Sequence, residues 1–258
     1  MSGYAALSAV YDRLTDDVQY DRRAERLLAL FARHRRRPET VLDLACGTGS
    51  LALRLAAQGI EVIGTDGSAD MLAVARERAA AVGADILFLE QDMTALDLYG
   101  TVEGAICTLD SLNHLIKTAA LRETFARLSL FVEPGGLLLF DVNTPYKHRE
   151  ILGNNRFVWE EEGLFCVWQN RFYPRTGEVE QLLDVFEEQQ DGSYARYSDA
   201  VRERAYAGRT LRRLLVECEW EPVAVYDDLS DDAPSAQTER ELWVVRNVTR
   251  RYEQERTD

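Results

Sequence analysis

The sequence predicts a doubly wound α/β fold: a mostly parallel sheet covered by helices, with an antiparallel β insertion after the fifth strand. Three observations carry this. From residue 41 to 142, short apolar runs alternate with apolar stripes at helical spacing, as in a parallel sheet wrapped by helices. The first run passes into Gly47-Thr48-Gly49 and straight on into a helical stripe. After Asn143 come long alternating runs separated only by Glu162-Gly163, Pro174-Arg175-Thr176-Gly177 and Asp191-Gly192-Ser193, turns that join neighbouring strands antiparallel.

Taken in order, residues 4–36 read as two helices. The second ends in Arg33-His34-Arg35-Arg36-Arg37 before Pro38, where cations meet the negative end of the helix dipole. Strands are expected at 41–45, 61–65, 86–90, 105–109 and 137–142. Between them, Leu51 and Leu55 precede Gly59, and Met71, Leu72, Val74, Ala75 and Ala79 precede Gly83; both glycines stand where helices end. Leu121, Phe125 and Leu128 mark the next helix, and Pro134-Gly135-Gly136 is expected to turn the chain into the fifth strand. The insertion contributes strands at 157–162, 164–173, 179–189 and 194–206. A helix carrying Leu211, Leu214, Leu215 and Cys218 then leads to strands at 223–226 and 242–248, joined by an acidic loop at 227–239. The final TRRYEQERTD reads as a frayed end.

With 258 residues, 46% apolar and 9% aromatic, the composition is globular. A chain of this size buries roughly 70–75% of its unfolded surface, which suits one domain carrying an insertion. A net charge of −14 argues against nucleic acid or an anionic membrane as partner, because a negative field repels phosphate. Cys46, Cys107, Cys166 and Cys218 are widely spaced, so neither a metal knuckle nor a disulfide framework is expected. The first residues lack a basic stretch followed by an apolar one, and no run reaches the ~18 apolar residues of a membrane helix. The expectation is a soluble, cytoplasmic protein.

The chemistry concentrates in VLDLACGTGS, residues 41–50. Glycines at a strand-to-helix turn let a ligand approach the backbone, and the helix N-terminus offers free N–H groups. A nucleotide-like ligand belongs there. Gly47 to Ala52 also satisfies the dinucleotide pattern, and Asp66 follows at the ribose-binding position for either ligand class. Three features separate the classes. Asp43 lies four residues before Gly47; it would oppose a pyrophosphate but welcome an ammonium. Asp66-Gly67-Ser68 ends the second strand and caps a helix carrying Met71. Glu90-Gln91-Asp92-Met93 follows the third strand, offering an acid and an apolar neighbour to an adenine.

On these residues the chain resembles the class I S-adenosylmethionine-dependent methyltransferases, over roughly residues 4–143 and the last two strands. The resemblance implies a seven-stranded Rossmann-like sheet whose last strand, 242–248, is antiparallel. It implies S-adenosyl-L-methionine as cofactor, with Asp43, Ala45, Gly47 and Gly49 at its amino acid and ribose, Asp66, Gly67, Ser68 and Met71 beside the ribose, Asp92 and Met93 at adenine, and Leu109 nearby. The segments YAALSAVYDRLTDDVQY, CTLDSLNHL and FDVNTP look like bacterial small-molecule methyltransferases, amino-sugar N-methyltransferases among them, which cap the site with an N-terminal helix and an inserted sheet. The implied organisation is a lid at 1–38 with Tyr11 over the cofactor, a core at 39–144 and 207–250, and an insertion at 145–206 that caps the substrate or forms a homodimer contact. Glu103, Val201 and Cys218-Glu219-Trp220 depart from the usual pattern.

A sulfonium donor needs a nucleophile held in line and water kept out. A base for an N or O acceptor is expected on the loops after strands four and five. The catalytic candidates are His114, Asn113 and Asp110; His114 is the base candidate and Asn113 also reads as a brace for the loop. His148 reads as a solvated helix residue. Trp159, Phe165, Trp168, Phe172 and Tyr173 make the insertion aromatic, and Cys46 reads as a neutral spacer. Three scattered histidines suggest no metal site. Two alternatives stand beside this reading: a non-enzymatic cofactor-binding or assembly protein, and an NAD-dependent reductase, for which the chain lacks a Tyr-x-x-x-Lys pair.

Overall fold

A computed structural model describes residues 18–35 and 37–249. Helix α1 (Tyr20–His34) leads into strand β1 (Thr40–Leu44), α2 (Ser50–Ala57), β2 (Glu61–Asp66), α3 (Ala69–Val82), β3 (Leu87–Glu90), β4 (Val102–Cys107), α4 (Thr118–Phe131) and β5 (Val132–Asn143). The earlier of the two expected N-terminal helices, with Tyr11, lies outside the described residues.

Every second residue of the central strands faces the same layer, which divides the core in two. Leu42, Leu44, Ala105, Cys107, Leu138 and Phe140 point to α4 and to α5 (Gly208–Glu217). Val41, Ile106, Leu137 and Leu139 point to α1, α2 and α3. Both faces of these strands are therefore apolar, and β1 from Val41 to Leu44 is buried throughout. Close approach of α1 depends on Gly104, where a Cβ would stand 2.5 Å from the Phe31 ring.

The last two strands, β10 (Trp220–Asp227) and β11 (Arg240–Asn247), complete a seven-stranded sheet in the order β10-β11-β5-β4-β1-β2-β3. β11 runs antiparallel to both β5 and β10, and Trp243 stacks on Phe140 across that pairing at 5.9 Å between centroids. The order reverses direction beside β1, so a crevice opens at the carboxyl ends of β1 and β4. Pro134-Gly135-Gly136 does not precede the fifth strand. It forms an irregularity within β5, where pairing with β4 skips from Val132 to Leu137. After α5, Glu219 adopts φ 62°, a left-handed position that favours glycine.

Between β5 and α5 lie a wide helical turn (Lys147–Leu152) and a separate sheet of β6 (Arg156–Glu161), β7 (Leu164–Tyr173), β8 (Glu178–Glu188) and β9 (Tyr194–Arg204), paired antiparallel in sequence order. Its register aligns Phe157, Trp168, Leu183 and Asp199 in one row across all four strands. Its own buried cluster is only Leu164, Cys166 and Val185, while Val158, Leu182 and Tyr194 are exposed. One face of this sheet closes over the strand ends of the larger one.

Candidate active site

A cavity of about 1060 Å³ lies between the carboxyl ends of β1–β5 and the inserted sheet. Its floor begins at the β1–α2 turn, where Ala45, Gly47 and Gly49 all take positive φ (59°, 55° and 76°). For Ala45 this conformation costs of order 1–3 kcal/mol and persists because the surrounding structure imposes it. The Gly47 N–H donates to Asp66 Oδ2 at 2.9 Å, and the Ser68 N–H donates to Asp66 Oδ1 at 2.8 Å. Asp66 thus ties the two loops together while its remaining lone pairs stay available. Ser68 caps α3 by accepting from the Met71 N–H at 3.3 Å.

Ala45, Gly47, Asp66, Gly67, Ser68 and Met71 all line the cavity, and Asp92 and Met93 extend the same wall. Asp92 Oδ1 accepts from the N–H and hydroxyl of Thr94 at 2.8 and 2.7 Å, which orders this loop. Gly49 lies behind the wall: a Cβ there would meet Ala75 at 3.2 Å and the Phe88 ring at 3.3 Å. Its part is close packing of α2 on the sheet.

Asp43 is 2% exposed, and its Oδ2 finds no hydrogen-bond donor within the protein. It borders a side chamber of about 40 Å³ that shares Ala45, Gly47, Leu109 and Ser111 with the main cavity. Burial, reinforced by the neighbouring Asp66 charge, pushes its carboxyl up to about 8. A buried acid with one oxygen lacking a donor, beside a glycine turn, fits an ammonium group; a pyrophosphate would set further negative charge beside Asp43 and Asp66. Burial and the same two acids push the Cys46 thiol up, so it is no nucleophile.

The β4 exit loop is also strained, with Leu109 and Asp110 both at φ 55°. Their N–H groups donate to the Asp141 carboxylate at 2.9 and 2.7 Å. Asp141 is fully buried on β5 and accepts as well from Arg23 at 3.3 Å and Arg240 at 2.6 Å. This acid imposes the loop conformation that brings Leu109, Asp110, Ser111 and His114 to the cavity.

Of the three catalytic candidates, one is corrected. Asn113 does not reach the cavity: it is fully buried, donates to the Asn143 and Arg204 carbonyls at 3.1 and 2.9 Å, and accepts from the Asn143 N–H at 2.9 Å. It braces three segments. Asp110 lines the cavity but pairs with Arg240 at 2.7 Å. Burial would raise its carboxyl, yet Arg240, Lys147 and His114 outweigh that and hold it well below the usual carboxylate range, a poor setting for a base. His114 stands in the lining, in the same cavity as Asp66 and Asp110. Tyr11 lies outside the described residues.

His148 is a further correction, being fully buried in the Lys147–Leu152 turn instead of solvated. Asp141, Lys147, Glu203 and Arg240 escaped the sequence reading. An acid in the otherwise apolar run Leu137–Val142 was the one available signal for Asp141. Lys147 and Glu203 sit in segments that read only as polar surface until the chain folds.

The sequence profile of the methyltransferase domain family matches residues 41–136. A protein of Geobacillus sp. (strain WCH70), provisionally named a methyltransferase, is 32% identical over 94% of this chain and 99% of its own length. The dTDP-3-amino-3,6-dideoxy-alpha-D-glucopyranose N,N-dimethyltransferase of Streptomyces fradiae is 34% identical over 47% of this chain and 46% of its own. Among solved structures, an S-adenosylmethionine-dependent methyltransferase from Clostridium acetobutylicum ATCC 824 superposes with a TM-score of 0.86 at 27% identity, covering 94% of this chain and 98% of that one. The seven-stranded order, the buried acid at the glycine turn and these relatives agree: the chain belongs to the class I S-adenosylmethionine-dependent methyltransferases, and S-adenosylmethionine is its cofactor.

Proposed function

We propose that this enzyme methylates a nitrogen of a small amine in the cytoplasm, with residues 145–206 capping the acceptor. The observation that carries this is the charge of the lining. Arg23, Arg240 and Arg202 are each engaged by acids of the protein, and Lys147 stands among Asp110, Glu203 and Glu239. Asp199, in contrast, accepts on Oδ1 only from the Ala200 N–H, and its buried Oδ2 has no donor. An acidic wall beside the Trp159 and Trp168 rings favours a cationic, donor-rich molecule over an anionic one. The amino-sugar specificity in the name of the Streptomyces fradiae relative is consistent with this.

When bound, S-adenosylmethionine supplies a methyl group already activated on a sulfonium. The chain's own residues bind, orient and dehydrate. Asp43 would receive the cofactor's ammonium, Asp66 the ribose hydroxyls, and Asp92 with Met93 the adenine. Asp141 holds the Leu109–Asp110 loop against the reacting centre, and the inserted sheet excludes water, so that positioning supplies up to ~7–11 kcal/mol of barrier reduction.

Radiolabelled methyl transfer to paired amino and hydroxy compounds (amino sugars, amino alcohols and small amino acids against their hydroxyl counterparts) tests the reading. Labelled product from amines alone is expected. Product from hydroxyl compounds alone would replace N- with O-methylation.

A further inference from the structure

Glu203 is 1% exposed, yet it borders the cavity. Three elements converge on it. Gln181 on β8 donates to its Oε1 at 2.8 Å, the Asn143 amide at the end of β5 donates to its Oε2 at 3.3 Å, and His148 brings Nε2 to 3.4 Å from the same Oε2. His148 is fully buried, and its other ring nitrogen, Nδ1, lies 3.2 Å from the Gly177 carbonyl. A carbonyl only accepts, so Nδ1 carries a hydrogen. Nε2 is then the nitrogen left to meet the carboxylate: it is buried, makes no hydrogen bond, and lies within ion-pair distance of Glu203 Oε2.

The placement of this pair relative to the reacting centre follows from Asn113. Its amide donates to the Arg204 carbonyl on β9 while its chain neighbour, His114, lines the cavity. Glu203, next to Arg204, is thereby drawn to the Ser111–His114 turn at the β4 exit, the wall against which the acceptor must lie. Asp110 is committed to Arg240 there. Glu203 is bound mainly by neutral amides, with Lys147 nearby.

We infer that Glu203, with His148 behind it, is the proton acceptor for methyl transfer, an inference that rests on the amine reading above. As the acceptor nitrogen bonds to the methyl carbon, the carbon–sulfur bond breaks and its electron pair stays on sulfur as a neutral thioether. The nitrogen gains the positive charge and sheds one proton to Glu203. The proton then lies between Glu203 Oε2 and His148 Nε2 and leaves through the cavity after product release. Before transfer, the same carboxylate accepts the amine's N–H and aims its lone pair.

Two measurements test this. In the full-length enzyme saturated with S-adenosylhomocysteine, ¹⁵N-histidine NMR has only three rings to resolve. Glu203→Gln is expected to move the His148 Nε2 resonance while Nδ1 stays protonated; an unchanged His148 ring would overturn the pair. In turnover with the best amine of the panel, Glu203→Gln is expected to lower kcat at least ~100-fold, with S-adenosylhomocysteine affinity unchanged and Glu203→Asp recovering part of the rate. A kcat within about threefold of wild type would overturn the catalytic role. Wild-type protein that methylates hydroxyl compounds and no amine defeats the amine reading instead, and the NMR result then decides the pair by itself.

Discussion

The two walls of the cavity are built differently. The cofactor wall consists of short turns at the ends of β1, β2 and β4, backed on both faces by large apolar clusters. Two of its acids are locked: Asp66 accepts from two backbone N–H groups, and Asp141 from two N–H groups and two arginines. The wall proposed to meet the acceptor is one face of a four-stranded sheet whose own buried cluster has three members. Its lining side chains are set by strand alternation and register. A wall held by backbone strain and buried ions tolerates little change, whereas a wall made of alternating side chains on a thin sheet permits exchange of the ligand it accepts.

That contrast is breakable, and the largest effect is expected at Asp141. Replacing it with Ala takes one of two acid partners from each of Arg23 and Arg240, leaves the Leu109 and Asp110 N–H groups without an acceptor and releases the strained loop, so urea denaturation should show a loss of about 3–5 kcal/mol. A loss under about 1 kcal/mol would mean that the β4 loop holds its shape unaided.

Next comes Asp43. Asp43→Asn should weaken S-adenosylhomocysteine binding by about 2 kcal/mol or more, measured by calorimetry. The same residue sets a pH dependence. Its carboxyl is raised from 3.8 to about 8 in the folded protein, so the folded chain binds the proton more tightly than the unfolded one. Its contribution to stability is fully present below pH 4 and is lost as pH rises towards 8. Cofactor binding requires the ionised form, so affinity should climb over the same window. Thermal melts of the ligand-free protein and binding isotherms between pH 5 and 8 should show opposite slopes, both flattened in Asp43→Asn.

On the acceptor wall, Trp168→Ala should raise KM for the acceptor by about tenfold, or ~1.4 kcal/mol, while leaving S-adenosylhomocysteine affinity unchanged. Equal losses for both ligands would erase the distinction between the walls. Smallest is Glu219→Gly, away from both: relieving a left-handed φ of 62° should stabilise the protein by about 0.5–1 kcal/mol in the same denaturation assay.

Legibility followed the same division. Gly47, Asp66, Ser68 and Asp92 could be read in advance because each acts on backbone within a few residues of itself or on the next strand in a regular winding. Both strand families were visible from alternation and turns. Glu203 and His148 were not, since they are separated by 55 positions and nothing local distinguishes them from solvated neighbours. Asn113 was seen on the right loop, but whether its amide faces a substrate or two carbonyls depends on segments that arrive from β5 and β9.

By itself, the sequence determined the winding of the sheet, the glycine turn and the presence of an acid on the strand that enters it, because these arise from side-chain periodicity and short-range backbone chemistry. Only the tertiary structure decided which buried acids are neutralised and which face the cavity with bonding capacity to spare. Burial changes the energy of a charge by far more than its neighbours in sequence do, and burial is set by the packing of distant segments.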